Sequence, residues 1–334
     1  RPQFLLACPL LRQQVPLSSR LPRFNHVSWR SEGGHDGDFQ SRKSGNHTSH
    51  EHDTMLFICQ VAITIGSLNL NNFSLEKSTT YSTALAKLFG DESLKLDIIA
   101  LQEIIKNSSE SPMENIIDLM NSSSARCEWG YKQSEYAGLG GKGKEHFGLL
   151  WRTSKVKHHE TLQLDLKKLR NTYTRRPSVD VLEIEEKKLL AVINVHLKYP
   201  GVPTEWKKHA KRLSAGENCC CHSCSRLKSE IKHLPMVAEI AKDQIKGKCI
   251  TTILIGDFNL EPHHPWFTDL QKKHRPLNAQ PTNFLKSLPR VYDNIWVEVG
   301  KAKGIPAMVF DSSEAISNHK LVYSSVTISG QTRI

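Results

Sequence analysis

The chain of 334 residues has no uninterrupted apolar run approaching about 18 residues, so no segment reads as a membrane-spanning helix. It shows no internal repeat and no glycine-rich nucleotide loop, which leaves solenoids and phosphate-loop folds without support. A disulfide framework is also missing. Of the eight cysteines, Cys219, Cys220, Cys221 and Cys224 crowd together, while Cys8, Cys59, Cys127 and Cys249 are scattered. That distribution fits a reducing, intracellular compartment, nucleus or cytoplasm. Acidic residues are absent from one region altogether. The first 31 residues carry Arg1, Arg12, Arg20, Arg23 and Arg30 and no Asp or Glu. Such a segment reads either as a mitochondrial transit sequence or as a disordered extension ahead of a start at Met55. Residues 1–54 are therefore set apart as a disordered or targeting extension, and residues 55–330 as one folded domain.

The remaining composition is that of a globular protein with a core: 38% hydrophobic and 24% charged residues. The net charge of +11 favours a polyanionic partner, whether nucleic acid, an acidic membrane surface or a phosphorylated substrate. From Met55 onward, apolar runs alternate with helical spacing. Strands are expected at Leu56–Leu70, Asp97–Leu101, Phe147–Trp151, Val179–Ile184, Leu189–Leu197, Cys249–Ile255, Asn294–Val299 and Leu321–Ile328. Helices are expected at Lys77–Phe89, Met113–Met120, Arg226–Lys246 with a kink at Pro235, and Trp266–Lys273. The irregular alternation indicates a layered α/β or α+β domain.

Chemistry-bearing residues recur where these apolar runs end: Asn69, Glu103, His196, Asp257 with Asn259, Asp293 and His319. The string Gly256-Asp257-Phe258-Asn259 is the most pointed. In an extended segment Asp257 and Asn259 share one side, and Phe258 faces the other, into packing. Taken singly, each position has an ordinary structural explanation as a turn residue, a solvated carboxylate or a packed imidazole. Together, oxygen donors and two histidines compose a hard-cation site with acid–base partners.

The ordered strings Ser67-Leu68-Asn69, Leu101-Gln102-Glu103, Val195-His196-Leu197, Gly256-Asp257-Phe258-Asn259, Tyr292-Asp293-Asn294 and Ser317-Asn318-His319 resemble the endonuclease/exonuclease/phosphatase superfamily, the deoxyribonuclease I-like fold, over roughly residues 60–328. The resemblance implies a four-layer α/β sandwich: two packed, mostly antiparallel β-sheets flanked by helices. It implies a metal-dependent phosphodiester hydrolase, a DNA or RNA endonuclease or exonuclease, using Mg²⁺, with Mn²⁺ or Ca²⁺ as alternatives. Nucleic acid is the partner so implied. A phosphomonoesterase or phospholipase acting on inositol phosphate or sphingomyelin, with a small-molecule or lipid phosphate ester as its partner, and a catalytically impaired nucleic-acid-binding protein, are the rival readings.

Site roles follow from the same resemblance. Glu103 is the principal carboxylate on the ion, with Asn69 nearby. Asp257 and Asn259 position the scissile phosphate or the attacking water. His319 activates that water, and Asp293 fixes its tautomer. His196 contacts the phosphate or protonates the leaving oxygen, with Glu145 as its partner. Arg175, in Thr174-Arg175-Arg176-Pro177, approaches the phosphate, with Arg176 as the alternative. A histidine at position 196 argues against a dedicated abasic-site enzyme.

One position departs from the family pattern. Asn318 stands where Asp is usual, a slot that by the resemblance helps bind the metal or holds the neighbouring site, and it loses a unit of negative charge there. Other motifs carry less. The cluster Cys219–Cys224 has adjacent cysteines that suit zinc poorly, so a Cys-rich basic surface insertion near 205–225 is expected, with Lys207–Arg212 as its basic part. Gly138–Lys144 reads as a flexible basic loop.

Overall fold

The computed structural model describes residues 56–333, apart from 107–108, 124–127, 136, 141–142, 165–168, 170–171, 186–187, 201–221, 246–249, 285–288 and 312–315. The N-terminal extension 1–54 and most of the insertion near 205–225 therefore lie outside the described residues. No described helix is long and apolar enough to cross a membrane.

Strands run β1 Leu56–Phe73, β2 Ile98–Ile105, β3 Trp129–Gln133, β4 Gly138–Gly140, β5 Gly143–Arg152, β6 Lys157–Thr161, β7 Ser178–Ile184, β8 Lys188–His196, β9 Ile250–Asp257, β10 His274–Pro276, β11 Asp293–Glu298, β12 Ala302–Gly304, β13 Met308–Phe310 and β14 Leu321–Arg333. Helices are α1 Leu75–Phe89, α2 Glu114–Ser123, α3 His222–Gln244 and α4 Thr268–Gln271. One sheet has the order β12-β14-β1-β2-β5-β3, with β13 also on β14 and β4 on β5; the other is β10-β11-β9-β8-β7-β6. Pairing is antiparallel except for β1 with β2 and β8 with β9.

Strand parity builds the layers. On β8, Leu190 and Val192 enter the core between the sheets, while Leu189, Ala191, Ile193 and Val195 face the second core with α3. On β9, Ile253 and Ile255 face inward, and Leu254 faces α3. On β2, Ile98 and Ala100 face inward, whereas Ile99 and Leu101 pack with Leu85 and Phe89 of α1 and Ile116 and Met120 of α2. Helix, sheet, sheet and helix thus stack as the four layers expected. A buried polar bridge ties the sheets together: Gln102 Nε2 donates to Asn194 Oδ1 at 2.8 Å, and Asn194 Nδ2 donates to the Leu101 carbonyl at 3.1 Å. Such fully satisfied buried pairs set the offset of the two sheets.

Several elements differ from the sequence expectation. Helix α1 begins two residues early because Ser74 caps it, its hydroxyl accepting the Lys77 N–H. Helix α3 continues through Pro235. The helix expected at Trp266–Lys273 is a 3₁₀ turn, Pro265–Phe267, followed by one short turn of α-helix. Within Gly138–Lys144, expected as a loop, Gly138–Gly140 and Gly143–Lys144 are strand residues of β4 and β5 that pair antiparallel. Cys224, expected in a surface insertion, is buried in the first turn of α3.

Gly256 is where the fold meets the site. Its φ is +135°, and a Cβ there would lie 2.0 Å from the Val195 carbonyl oxygen on the parallel neighbour strand. Only glycine allows β8 and β9 to approach at that point. Gly256→Ala should cost about 3 kcal/mol or more, read as a lower urea midpoint; an unchanged midpoint would show that the strands can separate freely.

His274 offers a pH handle on stability. It is buried, its Nε2–H donates to Thr252 Oγ1 at 2.9 Å, and its Nδ1 has no partner among the described residues. Burial pushes its pKa down to about 4, against the pull of Glu298. The unfolded chain binds this proton first, so no penalty applies above pH 6.5. Stability should fall by about 3 kcal/mol as pH drops from 6.5 to 4. Wild type and His274→Gln, unfolded across that range, should diverge in slope by nearly one proton; parallel curves would exclude the effect.

Candidate active site

Strand parity also delivers the site. Continuing the inward-facing series gives Asn69 on β1, Gln102 on β2, Glu145 on β5, Asn194 and His196 on β8, Asp257 on β9 and Asp293 on β11. All but the Gln102–Asn194 bridge lie where the sandwich opens into a cavity of about 590 Å³. Its walls include Glu103, Arg175, His196, Asp257, Asn259, Asn318 and His319. Asn69, Glu145 and Asp293 are fully buried directly behind these residues.

Two carboxylate–imidazole pairs face each other across Asp257. His196 Nδ1 donates to Glu145 Oε1 at 2.6 Å, and His319 Nδ1 donates to Asp293 Oδ2 at 2.8 Å. Each carboxylate fixes its ring so that Nε2 points to the cavity. His196 Nε2 stands 3.6 Å and His319 Nε2 3.8 Å from Asp257 Oδ2, charge contacts too long for hydrogen bonds. His196 Nε2 is also 3.7 Å from Glu103 Oε1. The Ser317 hydroxyl accepts the His319 N–H at 3.0 Å and donates to the Asn69 carbonyl at 2.5 Å, holding the His319 turn against β1.

Glu103 reaches the cavity against its parity. Ile99 and Leu101 face α1 and α2, and a regular strand would send Glu103 with them. Instead its φ is +58°, at an irregularity in the β2–β5 register. That bulge turns its carboxylate toward the histidines. Asn69 Nδ2 donates to Glu103 Oε1 at 3.0 Å and to Asp257 Oδ2 at 3.1 Å, and the Asn72 N–H donates to Glu103 Oε2 at 2.8 Å. Asn69 thus bridges one carboxylate from each sheet, while its Oδ1 accepts the Asn71 N–H. Asn71, Asn72 and Asn259 share the positive-φ backbone; elsewhere among the described non-glycine residues only Lys95 does. Left-handed backbone concentrated at one cavity is stored strain that the surrounding hydrogen bonds hold in place.

Asp257 and Asn259 both line the cavity, but not along a continued strand. β9 ends at Asp257, and the Asn259 N–H turns back to Asp257 Oδ1 at 2.9 Å. Asn259 Nδ2 donates to the Leu197 carbonyl at 2.8 Å. Phe258 packs outward against Phe267 and Trp296. Arg175 donates from Nε to Glu145 Oε2 at 2.5 Å and from Nη1 to the Leu197 carbonyl at 3.5 Å. Asn318 is exposed at the rim, and its carbonyl accepts the Phe284 N–H.

Charge is concentrated here. Burial raises the Asp257 carboxyl pKa, opposed by His319 and reinforced by Asp293. Burial pulls His319 down, but Asp293 and Asp257 outweigh it and push the imidazole up to about 10. Burial likewise opposes the charged form of His196, yet Glu145 raises it, against Arg175. Glu145 overcomes its own burial through His196 and Arg175 and is lowered.

The donor set fits a hard divalent cation. Asp257, Asp293 and His319 offer ligand atoms close enough for one ion, Asp293 Oδ1 is buried with no hydrogen-bond partner among the described residues, and Glu103 presents its oxygens nearby.

Asn72, Tyr199, Asn283, Phe284 and Tyr292 complete the cavity wall. Tyr292 belongs to the Tyr292-Asp293-Asn294 string but carried no assigned role, and Asn72 lies three residues after Asn69, a signal that could have found it. Asn283 and Phe284 arrive through a single bridge, Asn283 to His319, which no local pattern announces.

This is a four-layer α/β sandwich with a carboxylate–imidazole site at one open end. No protein-family model matches the chain, and no curated protein matches it. Solved structures do. An endonuclease/exonuclease/phosphatase from Bacteroides vulgatus is 11% identical, with 80% of this chain and 99% of that chain covered at a TM-score of 0.56. An endonuclease/exonuclease/phosphatase family protein from Bacteroides thetaiotaomicron is 15% identical over 81% and 99%, at 0.55. A mannosyl-6-phosphatase from Bacteroides thetaiotaomicron VPI-5482 is 17% identical over 79% and 99%, at 0.51. The chain has the fold of the endonuclease/exonuclease/phosphatase, deoxyribonuclease I-like superfamily.

Proposed function

We propose that this protein is a metal-dependent phosphodiester hydrolase acting on DNA or RNA. The observation that carries the reading is the pair of carboxylate-fixed imidazoles aimed at one Asp257 oxygen, with Glu103 and Arg175 in the same cavity. One imidazole can accept a proton while the other supplies one, as hydrolysis of a phosphate ester requires. The net charge of +11 suits a polyanionic chain as substrate. The strings Ser67–Lys77, Phe147–Trp151 and Asp293–Trp296 further resemble the catalytic domain of endonuclease/exonuclease/phosphatase family domain-containing protein 1.

The Asp257, Asp293 and His319 group is kept for proton transfer and phosphate positioning, so the ion is assigned to the opposite wall: Glu103, with Asn69 and Asn318 nearby, would hold Mg²⁺, or Mn²⁺ or Ca²⁺ in its place. Such an ion, when bound, polarises a phosphoryl oxygen and offsets charge developing in the transition state. Arg175 binds the phosphate, its guanidinium fork matching two oxygens. Asp257 and Asn259 orient the phosphate and the attacking water. His319 Nε2 takes the proton of that water, and Asp293 stabilises the imidazolium that results. His196 Nε2 donates a proton to the leaving oxygen, with Glu145 holding its ring.

The name of the mannosyl-6-phosphatase neighbour keeps a phosphomonoesterase as the second reading. Supercoiled DNA, single-stranded RNA and a phosphorylated sugar, each with Mg²⁺ or EDTA, separate the alternatives. Strand cleavage that EDTA abolishes is the expected result. Phosphate released from the sugar alone would make the protein a phosphomonoesterase. No cleavage, with salt-sensitive retardation of DNA, would make it a binding protein.

Asn318 is the adjustable position. Asn318→Asp should restore a negative charge at the rim, tighten Mg²⁺ binding and raise activity at limiting Mg²⁺. An unshifted Mg²⁺ titration would place Asn318 away from the ion.

A further inference from the structure

A buried carboxylate outside the site holds two of its backbone segments. Glu230 lies on α3, on the same buried face as Leu227, Ile231 and Leu234, and is fully buried. An acid in such surroundings is destabilising unless its oxygens are satisfied. Glu230 Oε1 accepts the Thr174 N–H at 2.6 Å, and Oε2 accepts the Lys198 N–H at 2.6 Å. Its own carbonyl accepts the Tyr173 hydroxyl at 3.1 Å.

Both segments lead directly to site residues. Thr174 precedes Arg175, and Lys198 follows Leu197, whose carbonyl receives both Arg175 Nη1 and Asn259 Nδ2. The other side of the Arg175 segment is closed as well. The Arg176 N–H donates to the Ala137 carbonyl at 2.9 Å, and a Cβ on Gly138 would sit 2.4 Å from the Thr174 carbonyl. Arg175 therefore hangs from a backbone gripped by the helix on one side and the β4–β5 hairpin on the other.

We infer that Glu230 is a positioning residue: it bridges the chain before Arg175 to the chain after His196, and so sets the guanidinium against Glu145 and the phosphate site. A neutral apolar residue would pack on this helix face more easily, but it would leave both partly buried N–H groups without this acceptor. The inference rests on the proposed hydrolytic role for its effect on rate, but not for its effect on Arg175.

Two measurements on the full chain test it separately. Glu230→Gln keeps the volume but sets an NH₂ group against one of the two N–H donors. The Arg175 Nε–H resonance, assigned by its loss in Arg175→Ala, should be displaced by its hydrogen bond to Glu145 and should move toward the free-arginine position in folded Glu230→Gln. An unmoved resonance overturns the inference whether or not the protein is active. For rate, bis(p-nitrophenyl) phosphate with Mg²⁺ serves as the probe. Glu230→Gln should lower kcat/KM about tenfold in the wild type and less than about twofold in the Arg175→Ala background. Equal losses in both backgrounds would mean a general structural role. No hydrolysis by the wild type would sink the proposed function and leave the resonance to decide the inference. If Glu230→Gln does not fold, Glu230→Asp, which keeps the charge but spans only one N–H, is read in the same way.

Discussion

Replacing Glu103 with glutamine should abolish hydrolysis, a loss of at least about a thousandfold, while the protein stays folded. Glu103 is the carboxylate of the cluster most open to the cavity, its side chain 16% exposed against 0% for Glu145. Its hydrogen bonds to Asn69 and the Asn72 N–H are contacts within the left-handed bulge, not packing in the core. Glutamine fits the same space and keeps one acceptor. The local cost is one mismatched donor, about 1–3 kcal/mol, small beside the loss of a full negative charge from the proposed cation site. The checks are a thermal melt close to wild type, a Mg²⁺ titration that no longer saturates in the wild-type range, and absent cleavage. Wild-type activity in Glu103→Gln would remove this residue from the chemistry.

His319→Ala should lower turnover by at least about a hundredfold. The charge pattern adds a sharper expectation. With its pKa raised to about 10 by Asp293 and Asp257, the ring is an imidazolium at neutral pH and cannot accept a proton. A base is regained only when the negative charge around it is offset. In EDTA, the ring should titrate near pH 10 by NMR; with Mg²⁺, the midpoint should fall toward neutrality. The sign for stability follows from the same shift. Because the folded pKa exceeds the unfolded value of 6.5, the stabilisation is complete below pH 6.5 and is lost as pH rises through about 10. A midpoint unmoved by Mg²⁺, together with a loss of tenfold or less in His319→Ala, would exclude a general base at this position.

Much of this molecule is legible as pattern. The inner strands β8, β9 and β11 are apolar runs whose polar ends carry His196, Asp257 and Asp293, and period-two alternation alone places those ends on one face. The edge strands were not legible. Lys157–Thr161 is polar and mostly exposed, and it becomes a strand only because β7 offers it an unpaired edge. Met308–Phe310 and Ala302–Gly304 likewise exist through pairing with β14. Single-chain periodicity carries no trace of a partner strand many residues away.

The site divides in the same way. Residue order alone sets which residue types stand at the strand ends, and that buried strands carry most of them. Composition sets the net charge of +11. Tertiary structure alone decided that Glu103 turns into the cavity at a left-handed bulge, that Asn69 bridges carboxylates from opposite sheets, and that Glu230 reaches from α3 to the Arg175 backbone. The reason is physical. Alternation is a local property of an extended chain, whereas a bulge, an inter-sheet hydrogen bond and a buried helix carboxylate each need a neighbour whose position only the packed layers supply.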